Sequence, residues 1–276
     1  MIDWRPMEDL RWRVINIAQA VFLCTWSMFW ISAALVVSIV SRDLPLVMAR
    51  RCWSPGLLFA AGTRIDLAPA AKLDPHGPYV FAMNHQSMID IPIAFANIPV
   101  NLRFVAKRIL AFIPFLGWYM WRTGMIFVDR GNREQALRSL QQAGLKVRAG
   151  ASILAYPEGT RSKDGSVLPF KKGPFVVAIE AGVPIVPVAV DGSHRALPKD
   201  GFRVRPTTVR LAIGEPIPTA GYGQADVELV IKRVRDALID LHAGIGGRGG
   251  DKEDAIALPG MEGIGAGRRA REELTA

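Results

Sequence analysis

The chain has 276 residues, half of them hydrophobic, with two cysteines and a formal net charge of +9. That length suits one domain with an anchor and a tail, and two cysteines exclude a disulfide framework. The basic excess lies within residues 1–242, because the segment after Ala243 is slightly acidic; this excludes a basic nucleic-acid-binding tail and fits a body that meets anionic lipid or an anionic substrate.

The first predicted element is apolar. From Val14 to Ser41, 28 residues carry no formal charge, with Arg11 and Arg13 before them and Arg42 after. As a helix this segment would run about 42 Å, longer than the roughly 30 Å hydrocarbon core of a bilayer. It also exceeds the ~7–15 apolar residues of a signal peptide, so it predicts a membrane anchor, either spanning or dipping in and returning. Leu44–Ala61, apolar apart from Arg50 and Arg51, predicts a second helix in the interface. Cys24 and Cys52 lie in or near the anchor and no Cys-x-x-Cys occurs, which fits a domain facing a reducing cytosol.

Beyond the anchor, strand-like and helix-like runs alternate. Tyr79–Met83 reads as a buried strand ending at Asn84, and Asp90–Asn97 as a helix that tolerates Pro92 in its first turn. Leu102–Ala106 and Met125–Val128 are strand-like, with the apolar stretch Ile109–Arg122 between them. Arg133–Arg148 has helical periodicity, Ser152–Tyr156 is a buried strand, and Pro174–Ala181 is a helix stopped by Gly182. Val183–Val190 and Val209–Ile213 are strands, and Val227–Leu241 is an amphipathic helix. This alternation predicts an α/β fold, a central mixed sheet flanked by helices, behind an N-terminal hydrophobic helical membrane anchor. The expected division is residues 1–61 as anchor, 62–242 as the α/β domain and 243–276 as a Gly-rich disordered tail. The tail contains Gly244-Ile-Gly-Gly-Arg-Gly249, a formal dinucleotide-binding pattern. It follows a helix, whereas that mechanism needs a strand before it and a helix after it, so the match is set aside.

Three loops after strands carry candidate chemistry. The first is Asn84-His85-Gln86-Ser87-Met88-Ile89-Asp90. On one continuous helix, His85 and Asp90 would sit about 140° apart. With His85 in the loop and Asp90 in the first helical turn, they can face each other. A neutral imidazole can then take a proton from an alcohol while the carboxylate fixes its tautomer. The bland alternative is a histidine that only caps the helix. The second loop is Gly124-Met125-Ile126-Phe127-Val128-Asp129-Arg130, and the third is Tyr156-Pro157-Glu158-Gly159-Thr160-Arg161. Both place an arginine where open α/β sheets bind ligands, beyond the carboxyl ends of the strands, and the guanidinium fork suits phosphate oxygens. A fourth block, Val183-Pro184-Ile185-Val186-Pro187-Val188, is an apolar strand broken by prolines. Ser87 beside His85 raises a serine hydrolase, but no Gly-x-Ser-x-Gly elbow occurs. The four histidines, His76, His85, His194 and His242, make no metal-ligand spacing.

In this order the four blocks resemble the glycerolipid acyltransferase family, of the bacterial 1-acyl-sn-glycerol-3-phosphate (lysophosphatidic acid) acyltransferase type. The resemblance covers Gly77 to Gly192, more loosely to Pro216, and takes in Val105-Ala106-Lys107, Ile113-Pro114-Phe115-Leu116-Gly117 and Pro169-Phe170-Lys171-Lys172-Gly173. It implies that His85 is the general base and Asp90 its orienter. It implies further that Arg130 and Arg161, helped by Lys107, hold the acceptor phosphate, that Glu158 and Gly159 with Thr160 shape the acceptor site, and that Lys171 assists. The implied reaction moves a fatty acyl group from acyl-CoA or acyl carrier protein (acyl-ACP) to the free sn-2 hydroxyl of 1-acyl-sn-glycerol 3-phosphate, giving phosphatidic acid in phospholipid biosynthesis. No cofactor, metal or nucleic acid is implied; the partners are membrane lipid, the lysophosphatidate-like acceptor and the thioester. The implied place is the cell inner membrane, with the catalytic domain on its cytoplasmic face. Other acceptors of the family are glycerol 3-phosphate, lysophospholipid and lyso-ornithine lipid; the reading of another class is a non-catalytic membrane-surface lipid-binding protein. Tyr156 stands where Phe or Val is commoner, and Met125 and Ile126 vary their strand; none of the three is expected to touch the chemistry.

Overall fold

The computed structural model describes residues 5–129, 133–253, 255 and 256. Seven strands form one sheet: β1 (Thr63–Leu67), β2 (Val80–Met83), β3 (Leu102–Lys107), β4 (Ile126–Val128), β5 (Ser152–Ala155), β6 (Ile185–Asp191) and β7 (Thr207–Ile213). Their order is β1-β7-β6-β2-β5-β3-β4. All neighbours run parallel except β6 and β7, so the sheet is mixed as the alternation predicts. β1 is an addition to the strands read from the sequence. Its Thr-Arg-Ile-Asp-Leu stretch is mostly exposed at the sheet edge, so burial leaves no run of apolar residues to mark it.

Side chains of a strand alternate between its two faces, and β2 shows this. Phe81 and Met83 join one core with Ile93, Ala94 and Leu46, while Val80 and Ala82 join the other with Val147, Phe175 and Val234. Fully burying a large apolar side chain contributes about 1.5–3 kcal/mol, so both faces must be covered. On the first face lie α1 (Arg5–Val37), α2 (Leu44–Met48), α3 (Ser54–Ala60), α4 (Asp90–Asn97) and α5 (Leu116–Arg122). On the second lie α6 (Arg133–Arg148), α7 (Gly173–Ala181) and α9 (Val227–Gly244), with the short α8 (Ser193–Ala196) following β6. Gly182, at φ 67°, ends α7 in the left-handed conformation that glycine adopts without penalty.

The N-terminal helix is long and apolar enough to cross a membrane over Leu10–Val37. Most of its large apolar side chains are exposed, among them Val14, Val21, Phe29 and Val36. Its other face is seated on the domain. Asn16 donates to the Val204 carbonyl (3.1 Å), Gln19 to that of Ala60 (3.0 Å), and Trp26 to that of Trp53 (3.0 Å). At the far end Arg122 donates to the Ser38 carbonyl (2.9 Å). The helix thus lies along the body from Asn16 to Ser38. The following segment is helical as expected, through α2, one π-helical turn and α3. Its inner face belongs to the core through Leu46, Leu57 and Leu58, while Phe59 is turned outward.

The segment read as a tail from residue 243 is packed in its first part. The Val167 amide donates to the Gly249 carbonyl (2.8 Å), and Phe170 bridges to Ile256. The physical reason is that this stretch leaves α9 over the buried Arg235 and His242 and supplies them with backbone partners. Residues 257–276 lie outside the described residues.

Candidate active site

The strands β2, β3, β4 and β5 all end on one side of the sheet, and the sequence motifs leave from those ends. After Met83 the chain turns through Asn84, which clamps it to β6: its amide donates to the Val190 carbonyl (2.9 Å) and its oxygen accepts the Val190 N–H (2.8 Å). Residues 84–89 are not helical and α4 begins at Asp90. The backbone therefore doubles back between His85 and Asp90, and their spacing closes into a contact: His85 Nδ1 lies 2.8 Å from Asp90 Oδ2.

Asp90 is fully buried. Its Oδ2 also accepts the backbone N–H groups of Gln86 (2.8 Å) and Ser87 (2.8 Å). Three donors thus converge on that one oxygen, at the first turn of α4. The imidazole then donates from Nδ1 and keeps its lone pair on Nε2. The His85 side chain is 14% exposed, so the ring is reachable from solvent.

Tyr156 lies against the other side of this ring, its centroid 3.9 Å away and nearly parallel. This corrects the expectation that Tyr156 stays clear of the chemistry. Its hydroxyl is pushed well above the usual phenol range by burial and by the Asp90 charge. Glu158 enters from the same loop, and its Oε1 accepts the His85 backbone N–H (3.3 Å). Burial pushes the Glu158 carboxyl well above the usual carboxylate range. The His85 carbonyl accepts the Ser162 N–H (2.7 Å), so the β2 and β5 loops are sewn together on both sides of the histidine.

A family model described as Acyltransferase matches residues 64–191. The 1-acyl-sn-glycerol-3-phosphate acyltransferase alpha of Ovis aries is 30% identical over 239 residues, covering 85% of this chain and 83% of that protein. The chain belongs to the acyltransferase family. The Homo sapiens protein of the same name is also 30% identical over 85% of this chain and 84% of its own. The 1-acyl-sn-glycerol-3-phosphate acyltransferase of Saccharomyces cerevisiae is 31% identical over 78% of this chain and 72% of its own. The fold matches the crystal structure of the 1-acyl-sn-glycerophosphate acyltransferase of Thermotoga maritima, with a TM-score of 0.72, 24% identity, and 85% of this chain and 96% of that one covered.

This acyltransferase places most of its other motif residues around the same strand ends. Lys107 closes β3, exposed, opposite Val128 of β4 in the parallel register. Arg130 lies outside the described residues. Gly159 has φ 73°, and a Cβ there would stand 2.8 Å from Lys171 Cε, so glycine lets the Lys171 side chain cross the loop. Lys199 donates to the Thr160 hydroxyl (3.0 Å) and to the Arg161 carbonyl (2.9 Å), adding a cation that no motif marked. Gln86 is fully buried, and its residue type gives no sign in the sequence of a place at the site. A cavity of about 540 Å³ lies elsewhere, at the opposite ends of the strands near Gly77, Asn101 and Ser152. Two of its cations are already engaged: Arg103 donates to the Thr123 carbonyl (3.1 Å) and to the Asp43 carboxylate (2.8 Å), and Lys146 to the Gly124 carbonyl (2.8 Å).

Proposed function

We propose that this acyltransferase moves a fatty acyl group from acyl-CoA or acyl-ACP to the sn-2 hydroxyl of 1-acyl-sn-glycerol 3-phosphate, forming phosphatidic acid. The observation that carries the reading is the His85–Asp90 contact, 2.8 Å long, at strand ends whose loops bear Lys107, Arg161 and Lys171. The names of the relatives above support the choice of acceptor. In the proposed step His85 Nε2 takes the hydroxyl proton as the oxygen attacks the thioester carbonyl. The tetrahedral species expels the thiolate, which receives the proton from the imidazolium. The thioester is already activated, so no cofactor or metal is required and no acyl-enzyme is needed. Asp90 holds the ring and stabilises its charge. Arg130, Arg161 and Lys107 hold the acceptor phosphate, with Glu158, Gly159, Thr160 and Lys171 shaping the site around it.

The proposed setting is the cytoplasmic face of the cell inner membrane, with residues 1–61 as anchor. The exposed apolar face of α1 supports it, as do Ile109, Phe112, Trp118 and Trp121, all more than half exposed. An apolar cavity of about 400 Å³ between α1 and α5, walled by Leu35, Trp118, Trp121 and Phe127, offers space of the right chemistry for a hydrocarbon chain.

The test uses purified full-length protein in lipid with acyl-CoA and acyl-ACP in parallel. The acceptors are lysophosphatidate, glycerol 3-phosphate, a lysophospholipid and lyso-ornithine lipid, with products identified by mass. Lysophosphatidate is expected to be the fastest acceptor, and His85→Ala to lower turnover by about 10²–10⁴-fold. Faster transfer to an acceptor without phosphate, or near-normal turnover by folded His85→Ala, overturns the reading.

A further inference from the structure

The Gly244–Gly250 run, a formal dinucleotide pattern without the strand it needs, has another role in the fold. It turns back over His242 near the end of α9. His242 is fully buried. Its Nδ1 accepts the Gly249 N–H (3.0 Å), which leaves the ring hydrogen on Nε2. That edge faces the Asp191 carboxylate at 3.7 Å and lies against Gln86 Nε2 at 3.3 Å; both nitrogens carry hydrogen, so this is a packing contact and not a hydrogen bond. The run is glycine for steric reasons. A Cβ at Gly247 would stand 2.3 Å from the His242 ring, and one at Gly250 would stand 2.6 Å from the Val167 carbonyl oxygen. Gly246 and Gly249 take φ 82° and 69°, which L side chains rarely adopt.

Gln86 is the link to the active site. Its Nε2 donates to the Gly165 carbonyl (3.0 Å), and its Oε1 accepts the Gly192 N–H (3.1 Å) and His194 Nδ1–H (3.0 Å). Those backbone partners leave the amide one orientation, with His242 as its wall. The Gln86 backbone N–H in turn bonds Asp90 Oδ2, beside His85. We infer that the glycine run is a clasp that, through His242 and Gln86, holds the loop carrying His85 and the amides that bond Asp90. His242 is thus a positioning residue of the acyl transfer. The inference rests on the proposed role of His85 as base.

The role predicts a loss in kcat and not in KM, because the substrate-facing groups stay in place while the base loses its alignment. Full-length His242→Ala and Gly247→Ala should each lower kcat tenfold or more, with both KM values within twofold, when assayed well below their melting temperatures. His242→Asn, whose Oδ1 can still accept the Gly249 N–H, should recover most of the rate. Gln86→Ala should match His242→Ala, and the double variant should lose little more than either, since coupled residues on one path are non-additive. Should His242→Ala fail to fold, Gly247→Ala against His242→Asn carries the test. The inference is overturned by folded variants whose kcat stays within twofold of the parent, by losses confined to KM or to melting temperature, or by additive losses in the double variant. His85→Ala run alongside separates the failures: active His85→Ala sinks the base assignment itself, whereas inactive His85→Ala with normal His242→Ala sinks the clasp alone.

Discussion

Asp90→Asn separates two ways in which a carboxylate serves an imidazole. Asp90 Oδ2 receives His85 Nδ1, the Gln86 N–H and the Ser87 N–H, each at 2.8 Å. An asparagine there can turn either its oxygen or its NH₂ toward this cluster. Turning the NH₂ inward would leave two buried backbone donors unsatisfied, at about 1–3 kcal/mol each. The oxygen therefore takes the Oδ2 position, still accepts from Nδ1, and keeps the imidazole in its working tautomer. What is lost is the charge that stabilises the imidazolium. Hydrogen bonds to charged groups contribute about 1.5–3 kcal/mol against 0.5–1.5 for neutral ones, so the difference is about 1–2 kcal/mol. That corresponds to a fall in kcat of roughly 5–30-fold, at 1.36 kcal/mol per decade. The assay is steady-state release of free thiol from acyl-CoA with saturating lysophosphatidate, alongside His85→Ala. Asp90→Asn as inactive as His85→Ala would refute the argument, since it would mean that the amide presents its NH₂ and imposes the wrong tautomer. Unchanged kcat would refute it from the other side, by showing that no charge develops on the ring.

Three further perturbations test other parts of the site and its seating. Burial raises the Glu158 carboxyl above its ordinary range, so the folded state binds this proton more tightly than the unfolded chain, which releases it near pH 4.5. Parent stability measured against Glu158→Gln should then fall as pH rises above that value toward the raised folded pKa, a comparison that cancels the opposite contribution of His194, whose pKa is lowered in both proteins; parallel curves by circular dichroism would contradict this. Arg161→Ala should raise the acceptor KM by about tenfold or more, on the roughly 1.5–3 kcal/mol of a hydrogen bond to a charged group, and Arg161→Lys should recover it only partly; an unchanged KM for lysophosphatidate removes Arg161 from the phosphate site. Gly56→Ala places a Cβ 2.5 Å from the Trp26 ring, and such overpacking costs about 1–3 kcal/mol. It should lower the melting temperature and loosen α1, read as faster proteolysis within residues 10–40; an unchanged digest would show that α1 is held by the lipid alone.

The sequence by itself determined most of the sheet and where the polar loop residues fall. Strands buried on both faces, such as Val80–Met83 and Ser152–Ala155, must be runs of apolar residues, and the loops after them must carry the polar groups. His85, Asp90, Glu158 and Arg161 stand out in the sequence for that reason, as does the 28-residue apolar segment. The edge strand β1 does not, because partial exposure removes its pattern. Only the tertiary structure decided which side chains meet across elements far apart in the chain. Tyr156 lies on His85 because β2 and β5 are neighbours in the sheet. Gln86 meets His242, 156 positions away, because α9 and β6 pack beneath the β2 loop. The glycine run after α9 read as a tail because its composition cannot form a core of its own; it is ordered because two buried polar side chains, Arg235 and His242, sit beneath it. Periodicity records burial along one segment, whereas these contacts arise from the packing of several, and no local pattern encodes them.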